Sequence, residues 1–513
     1  MSKRVSPILF SVLLILGSLV TVYAQPELDI SFNGNGRATT GFGSGTAAAY
    51  KTLVQPDNKI VAIGTWYPIT GQKYFALTRY NTDGSLDQSF GEFGRVVTDF
   101  NPNVPNEGAF SGAIQPDGKI IAAGYVSIIS PGEGYFAMVR YNTNGSIDTT
   151  FGNGGRVTTA VIQHINEIRD IDIGPDGRIV AAGLYFSGVN FQTLIACYNA
   201  NGGLEWTKTD TRGNFLSDSN VAVAVAIQPD GKIITGGSFS TSGGTDITFV
   251  RYTASGAYDV SFGSSGRMLV SSPTTNESIS DIAVYSDGRI VAVGESGGQL
   301  LVMRMFGMGM FDITFSDDGR VTIPGITGKG VYIRPNGKIL VAGSGGSGFA
   351  LASLNTNGSL DTSFSGDGLL DFALSGGGGA YSVTMDSLGR PVLGGTVATG
   401  FGVARLYTLE PVPVSISGQA RTPDGTPLRG VRVGLTDASG ITRWALTSNF
   451  GFFSFDDIPT GQTYNLFVRG SKTHIFESRD VGLNEAVSVD LIGTPRDGVK
   501  APSGTVTKEQ KKR

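Results

Sequence analysis

A Pro-Asp-Gly turn followed by a basic residue recurs along this chain, and the spacing of its copies constrains the fold more than any other feature. The turn reads QPDNK at 55–59, QPDGK at 115–119, GPDGR at 174–178 and QPDGK at 228–232. It weakens to YSDGR at 285–289, RPNGK at 334–338 and DSLGR at 386–390. A second element, of the pattern LD..SFG..GR, starts at Leu28, Leu86, Ile147, Leu204, Tyr258, Phe311 and Leu360. The Leu204 copy is degenerate and runs straight into Glu205-Trp206 without Ser-Phe-Gly. Such a repeat predicts one supersecondary unit used again and again, each burying its faces against its neighbours.

The copy from Ser111 to Arg156 displays the unit. SGAIQ alternates small or apolar with polar residues, and KIIAAG and FAMVRY are short β-favouring runs, so each reads as a strand. Pro116 presets φ, Asp117 accepts a local backbone bond and Gly118 takes positive φ, which predicts a tight hairpin. Asn144-Gly145 is a second turn, and Gly155 to Thr159 supplies a fourth strand. Four-stranded meanders at this period fit the blades of a propeller. The strand order also predicts closure. Gly36-Arg37-Ala38-Thr39-Thr40 is a fourth strand with no preceding three, and 401–407 is a third strand with no fourth. The N-terminal strand is expected to complete the last blade and remove the open edges.

Residues 1–24 read as an export signal: Lys3 and Arg4 begin it, Ile8 to Val20 form an apolar core, and Val22-Tyr23-Ala24 ends it. The core is short for a span of ~20 residues, so cleavage is expected, leaving a mature chain without a membrane span. That places the protein in the periplasm, on the cell surface or outside the cell. Cys197, the one cysteine, allows no internal disulfide and reads as a buried strand residue. A formal net charge of −4 with both signs interspersed argues against nucleic-acid binding. The repeats occupy 26–409, and Glu410-Pro411-Val412-Pro413 reads as a stiff linker. Strands at 414–420, 431–436, 441–447, 452–455, 463–469, 473–478 and 486–492 then suggest a small β-sandwich over 414–493. Residues 494–513 are polar and read as a disordered tail.

The elements LD.SFG..GRV.T, QPDGKI..AG and FA..RYN..G resemble the delta-60 repeat of bacterial exported proteins over nearly all of 28–409. That resemblance implies a propeller-like fold and a surface location, with no assigned activity. Gly418, Pro423 to Val431 and Asn449 to Phe455 resemble the carboxypeptidase regulatory-like, transthyretin-like domain, which implies an accessory module; no peptidase domain accompanies it.

Chemistry is hard to place in this sequence. Only His164 and His474 are histidines, and they fall in different domains, so zinc and Ser-His-Asp sites are disfavoured. Carboxylate catalysis of the glycosidase kind stays open, but most aspartates sit in repeated turns and read as framework. Asn81-Thr82-Asp83-Gly84-Ser85-Leu86-Asp87 resembles part of a calcium loop, and Asn/Asp turn chemistry explains it as well. Arg79, Arg140, Arg251, Arg304 and Arg405 recur beside Asp87, Asp148, Asp259 and Asp312, which suggests a ladder of bidentate pairs.

Loops one and three of each unit are uniform, whereas loops two and four differ in every copy. Strands alternate direction, so the two variable loops share one end of every sheet. The second loops bring Trp66, Tyr67, Tyr125, Tyr185, Phe186 and Phe239, which either anchor a ligand or cap the core. The expectation is an all-β protein: a seven-bladed β-propeller of four-stranded blades followed by a small β-sandwich. It would be a non-enzymatic binding or scaffolding protein that meets a glycan or surface protein on the variable face and needs no cofactor. The competing readings are a carbohydrate-active enzyme using carboxylates and a structural spacer.

Overall fold

The computed structural model describes residues 28–100, 106–127, 134–160, 165–210, 219–241, 244–271, 275–374, 376–407, 414–437, 440–458, 463–469, 473–482 and 487–495. The export-signal reading, the linker over 410–413 and the tail beyond Pro495 fall outside them, whereas Thr494 and Pro495, read as the start of a disordered tail, end a strand paired with His474 and Ile475. The described chain is all-β apart from one helical turn, Ser316–Gly319.

Between Arg37 and Arg405 the described strands form seven four-stranded antiparallel sheets, each a meander. The first consists of Gly45–Val54, Ile60–Pro68, Tyr74–Tyr80 and Arg95–Thr98. The last takes Gly379–Met385, Pro391–Val397 and Gly400–Arg405, and its fourth strand is Arg37–Thr40. Arg37 lies opposite Ala404 and Thr40 opposite Phe401, the closure expected from the strand offset. The first strand of each sheet packs against the first strands of both neighbours, and the last sheet packs on the first, so these strands line the axis of a closed ring. The cores lie between successive sheets. One holds Ile121, Met138 and Phe151 of the second sheet with Ile168, Ile179 and Leu194 of the third. The molecule is a multi-blade β-propeller.

The second strand of every sheet carries a glycine with a shared packing reason. A Cβ on Gly64, Gly124, Gly183, Gly237, Gly294 or Gly395 would meet a first-strand carbonyl oxygen at 1.8–2.0 Å, and one on Gly343 would meet Thr327 O, just before the first strand, at 1.7 Å. That close approach accompanies a bulge in the first strand, with register shifts at Ala49/Lys51, Ala109/Ser111, Ile168/Asp170, Ala222/Ala224, Ile279/Asp281 and Ala380/Ser382. A bulge re-aims the side chains beside it, and this one bears on the site.

The repeated arginines are structural, but they do not fork across both oxygens of the aspartates; even Arg79 brings Nε and Nη2 to the one oxygen, Asp87 Oδ2. Arg140 Nε donates to Asp148 Oδ2 at 2.8 Å, its Nη2 to Thr150 Oγ1 at 3.0 Å, and its Nη1 to Ala200 O of the next sheet at 2.8 Å. The other carboxylate oxygen accepts from the Thr150 backbone N–H and hydroxyl instead. Each such guanidinium also covers the phenyl ring of its own SFG element, as Arg140 does Phe151 at 4.7 Å. Arg405 repeats the pattern across the ring closure, bonding Asp29 at 2.8 Å and Thr82 O at 2.6 Å. In the third sheet Cys197 replaces the arginine, and Arg178 of the turn reaches Ala254 O at 2.9 Å.

The degenerate Leu204 copy still makes a full fourth strand, Leu204–Asp210. Trp206 lies under Gly256 of the next sheet, as Phe90 lies under Gly145 and Phe151 under Gly202. An indole thus fills the place of the missing phenylalanine.

Residues 414–495 form two further sheets. One is ordered Phe452–Ile458, Val414–Arg421, Leu491–Pro495 and His474–Phe476, and the other Thr442–Leu446, Arg432–Thr436, Thr463–Val468 and Arg479–Gly482. The sequence reading lacks Arg479–Gly482 and joins Val487–Ser488 to the final strand; the structure separates them.

Candidate functional site

The six aromatics singled out from the sequence divide in two. Trp66 packs on Phe42 and Tyr74 with ring centroids 6.5 and 5.6 Å away. Tyr185 is buried between the second and third sheets, and Phe186 lies against Phe191 at 5.2 Å. Phe239 is covered by the Arg267 guanidinium at 4.6 Å. Tyr67 and Tyr125 instead converge beside the first strands, near the variable-loop end of the ring axis, here called the mouth. The Tyr67 hydroxyl is 3.3 Å from that of Tyr50, and Tyr125 stacks on Phe110 at 5.7 Å with an interplanar angle of 18°. The Lys73 ammonium lies 5.9 Å from both ring centroids and donates to the Tyr125 hydroxyl at 3.3 Å.

The first-strand bulges build the rest of this mouth. The extra residue of the bulge is Tyr50, Phe110, Arg169, Val223, Ser280 and Tyr381 in six sheets, and Lys329 holds the equivalent place in the other. Four of them form a continuous arc. Tyr50 contacts both Tyr381 and Phe110 edge-on, each at 5.3 Å, and Arg169 lies over Phe110 at 4.8 Å. Arg169 is held by Glu167 at 2.6 Å. Tyr381 is 37% exposed, which leaves it open to a ligand. Burial, assisted by the Tyr67 hydroxyl, pushes the Tyr50 phenol far above its ordinary pKa, and burial does the same to Tyr125. Both phenols are therefore hydrogen-bond donors throughout the physiological range.

A charged floor lies one to three residues further along the same strands. Lys51 reaches from the first sheet to within 3.8 Å of Asp170 in the third. Asp170 accepts from Ser111 Oγ at 2.7 Å and from the Val225 N–H at 3.0 Å. Asp172 accepts from the Ile227 N–H at 2.8 Å and Asp281 from the Val331 N–H at 2.8 Å. These carboxylates tie the first strand of the third sheet to those of the second and fourth, and that of the fifth sheet to that of the sixth. Burial opposes the charge on Lys51, but Asp170, Asp281 and Asp172 together hold its pKa above the ordinary value. Burial pushes Asp281 up to about 6 and raises Asp172 as well.

Neither the arc nor the floor was singled out from the sequence. The signal was present: within an otherwise uniform strand, one position carries Tyr, Phe, Arg, Val, Ser, Lys and Tyr in successive copies. At the opposite end of the ring, a depression between the first two sheets is lined by the repeated residues Gln55, Pro56, Asp57, Arg79, Pro116 and Asp117. The Asn81–Asp87 turn is closed by its own side chains, with Asp83 Oδ1 accepting from the Ser85 N–H at 2.9 Å and its hydroxyl at 2.6 Å. Among the described residues no group of three or more His, Cys, Asp or Glu is placed to hold a metal ion.

A family model described as a domain of unknown function (DUF5122) beta-propeller matches residues 55–90, 115–151, 174–204, 228–262 and 334–364. Comparison with curated proteins found no match. Among solved structures, the chain is similar to catalytically inactive virginiamycin B lyase from Staphylococcus aureus with quinupristin, at 14% identity and a TM-score of 0.44, covering 72% of this chain and 99% of that one. A polysaccharide lyase aligns at 12% identity and a TM-score of 0.44, over 72% and 91% of the two chains. A protein of unknown function from Bacteroides caccae aligns at 12% identity and a TM-score of 0.34, over 53% and 81%. The family match and the sheet topology make this a β-propeller repeat protein.

Proposed function

We propose that the protein is an exported, non-enzymatic binding or scaffolding protein of the cell envelope or its surroundings, and that it takes its ligand at the mouth on the variable-loop face. The export reading rests on residues 1–24, and no described helix is long and apolar enough to cross a membrane. The module over 414–493 is proposed to be an accessory carboxypeptidase regulatory-like domain.

The aromatic arc of Tyr381, Tyr50 and Phe110 carries this reading. Its residues come from three different sheets, at a position whose residue type varies among the repeats, and one ring stays open. Recognition on a rigid scaffold commonly resides in such non-repeated positions. The carboxylates below have oxygens engaged by backbone N–H groups, which supports a framework role for them over a catalytic one.

The test is to probe glycan arrays and envelope extracts with the mature chain, its Tyr381→Ala form and an Asp117→Ala control. The expected result is a ligand retained by the control and lost by Tyr381→Ala at unchanged melting temperature. A ligand bound equally by all three would move the site elsewhere.

A further inference from the structure

The mouth has two unlike sides. Tyr381, Tyr50, Phe110 and Arg169, from four consecutive sheets, make one wall of rings and a guanidinium. The equivalent positions opposite are Val223, Ser280 and Lys329, with Lys329 Nζ 3.8 Å from Glu295. Polar groups are already oriented along the aromatic wall: Arg169 by Glu167, the Tyr125 hydroxyl by Lys73 and Asn106, and the Tyr50 hydroxyl by Tyr67. A ligand that fits must offer an apolar face to Tyr381 and, around its edge, hydroxyls that both donate and accept.

We propose that this mouth binds the ring of a neutral sugar within a glycan, stacked on Tyr381 and hydrogen-bonded by the Arg169–Glu167 pair. The proposal rests on the reading of the mouth as the ligand site and names the class of ligand it takes. A sugar carries C–H groups on its faces and hydroxyls on its rim, matching the wall and its polar border. A wholly apolar ligand would strip water from Arg169 and Glu167 without replacing their hydrogen bonds, which is unfavourable. Arg169 and Lys329 are already paired with Glu167 and Glu295, and beneath them Asp170, Asp172 and Asp281 outnumber Lys51, so an anionic ligand gains less here than a neutral one. The floor also limits depth, so the ring rests at the mouth.

The experiment titrates the mature chain with neutral gluco-, manno-, galacto- and xylo-oligosaccharides, and with uronate oligosaccharides of matched length, by calorimetry. Tyr381→Ala, Tyr381→Phe and Arg169→Met run beside the parent. A neutral series is expected to bind. Tyr381→Ala should weaken it at least tenfold, Tyr381→Phe should retain the stacking and most of the affinity, and Arg169→Met should also weaken it at least tenfold. Melting temperatures report folding separately; Tyr381 is exposed enough that its replacement leaves them in place. If only uronates bind, or if neutral sugars bind with Tyr381→Ala unaffected, the sugar assignment is overturned. If no sugar binds while an envelope protein does so in a Tyr381-dependent way, the sugar class fails and the mouth as a binding site survives.

Discussion

Arg140 shows how a repeated residue can be framework despite its charge. Its guanidinium is spread over an aspartate, a threonine hydroxyl and a carbonyl of the next sheet, with a phenyl ring beneath. Removing one partner of a buried pair leaves an uncompensated charge and costs about 3–5 kcal/mol. Arg140→Ala should therefore lower stability by about that much, measured as a shifted urea midpoint. Lys119, which also approaches Asp148 at 3.2 Å but lies in solvent, should shift the midpoint far less when replaced by alanine. Equal effects would mean that the arginine is not the strut it is taken to be. The Arg-Asp pairing was legible from spacing alone. The splitting of the fork was not, because it depends on a carbonyl one sheet away in space and 60 residues away in sequence.

At the scale of the element, the glycine of the second strand and the bulge of the first are one device. Gly124→Ala would put a methyl group 1.8 Å from Gly108 O, and overpacking of this kind costs about 1–3 kcal/mol or more when backbone must move. A drop in melting temperature without loss of β-sheet circular dichroism is the expected outcome, whereas unchanged stability would mean that the two strands can part freely. The strands, turns and closure were readable because each depends on local propensity or on a count of copies. The bulge was not readable, since it is set by cross-strand packing. The arc it creates was therefore missed, while Trp66, Tyr185 and Phe239 drew notice by their chemistry and lie packed on Phe42, between two sheets and under Arg267.

For the whole molecule, pH acts on two opposed sets of carboxyls. Burial works against the charge on Asp259, yet Ser261, Lys232 and Arg251 hold its pKa down to about 2. The stability from that group is complete above the ordinary carboxyl range near ~4 and is lost as pH falls towards 2. Glu107 is buried and pushed up to about 8, and Asp281 to about 6. Their contribution is complete at acid pH and is lost as pH rises from the ordinary range through those values. Thermal midpoints should thus be highest in mildly acidic solution. Glu107→Gln should flatten the decline towards pH 8, because the glutamine has no proton to lose there. A variant whose profile runs parallel to that of the parent would show that Glu107 does not titrate in this window.

The closure by Arg37–Thr40 has a mechanical consequence. Leu28 bridges Leu406, so the chain enters and leaves the ring side by side, in the same sheet. A force applied through the two ends would not be shared around the circle. It would peel one antiparallel pair open, bond after bond, starting at the Asp29–Arg405 contact. A molecule tethered at one terminus and pulled at the other would open its ring at this seam while the other six sheets of the ring are still intact.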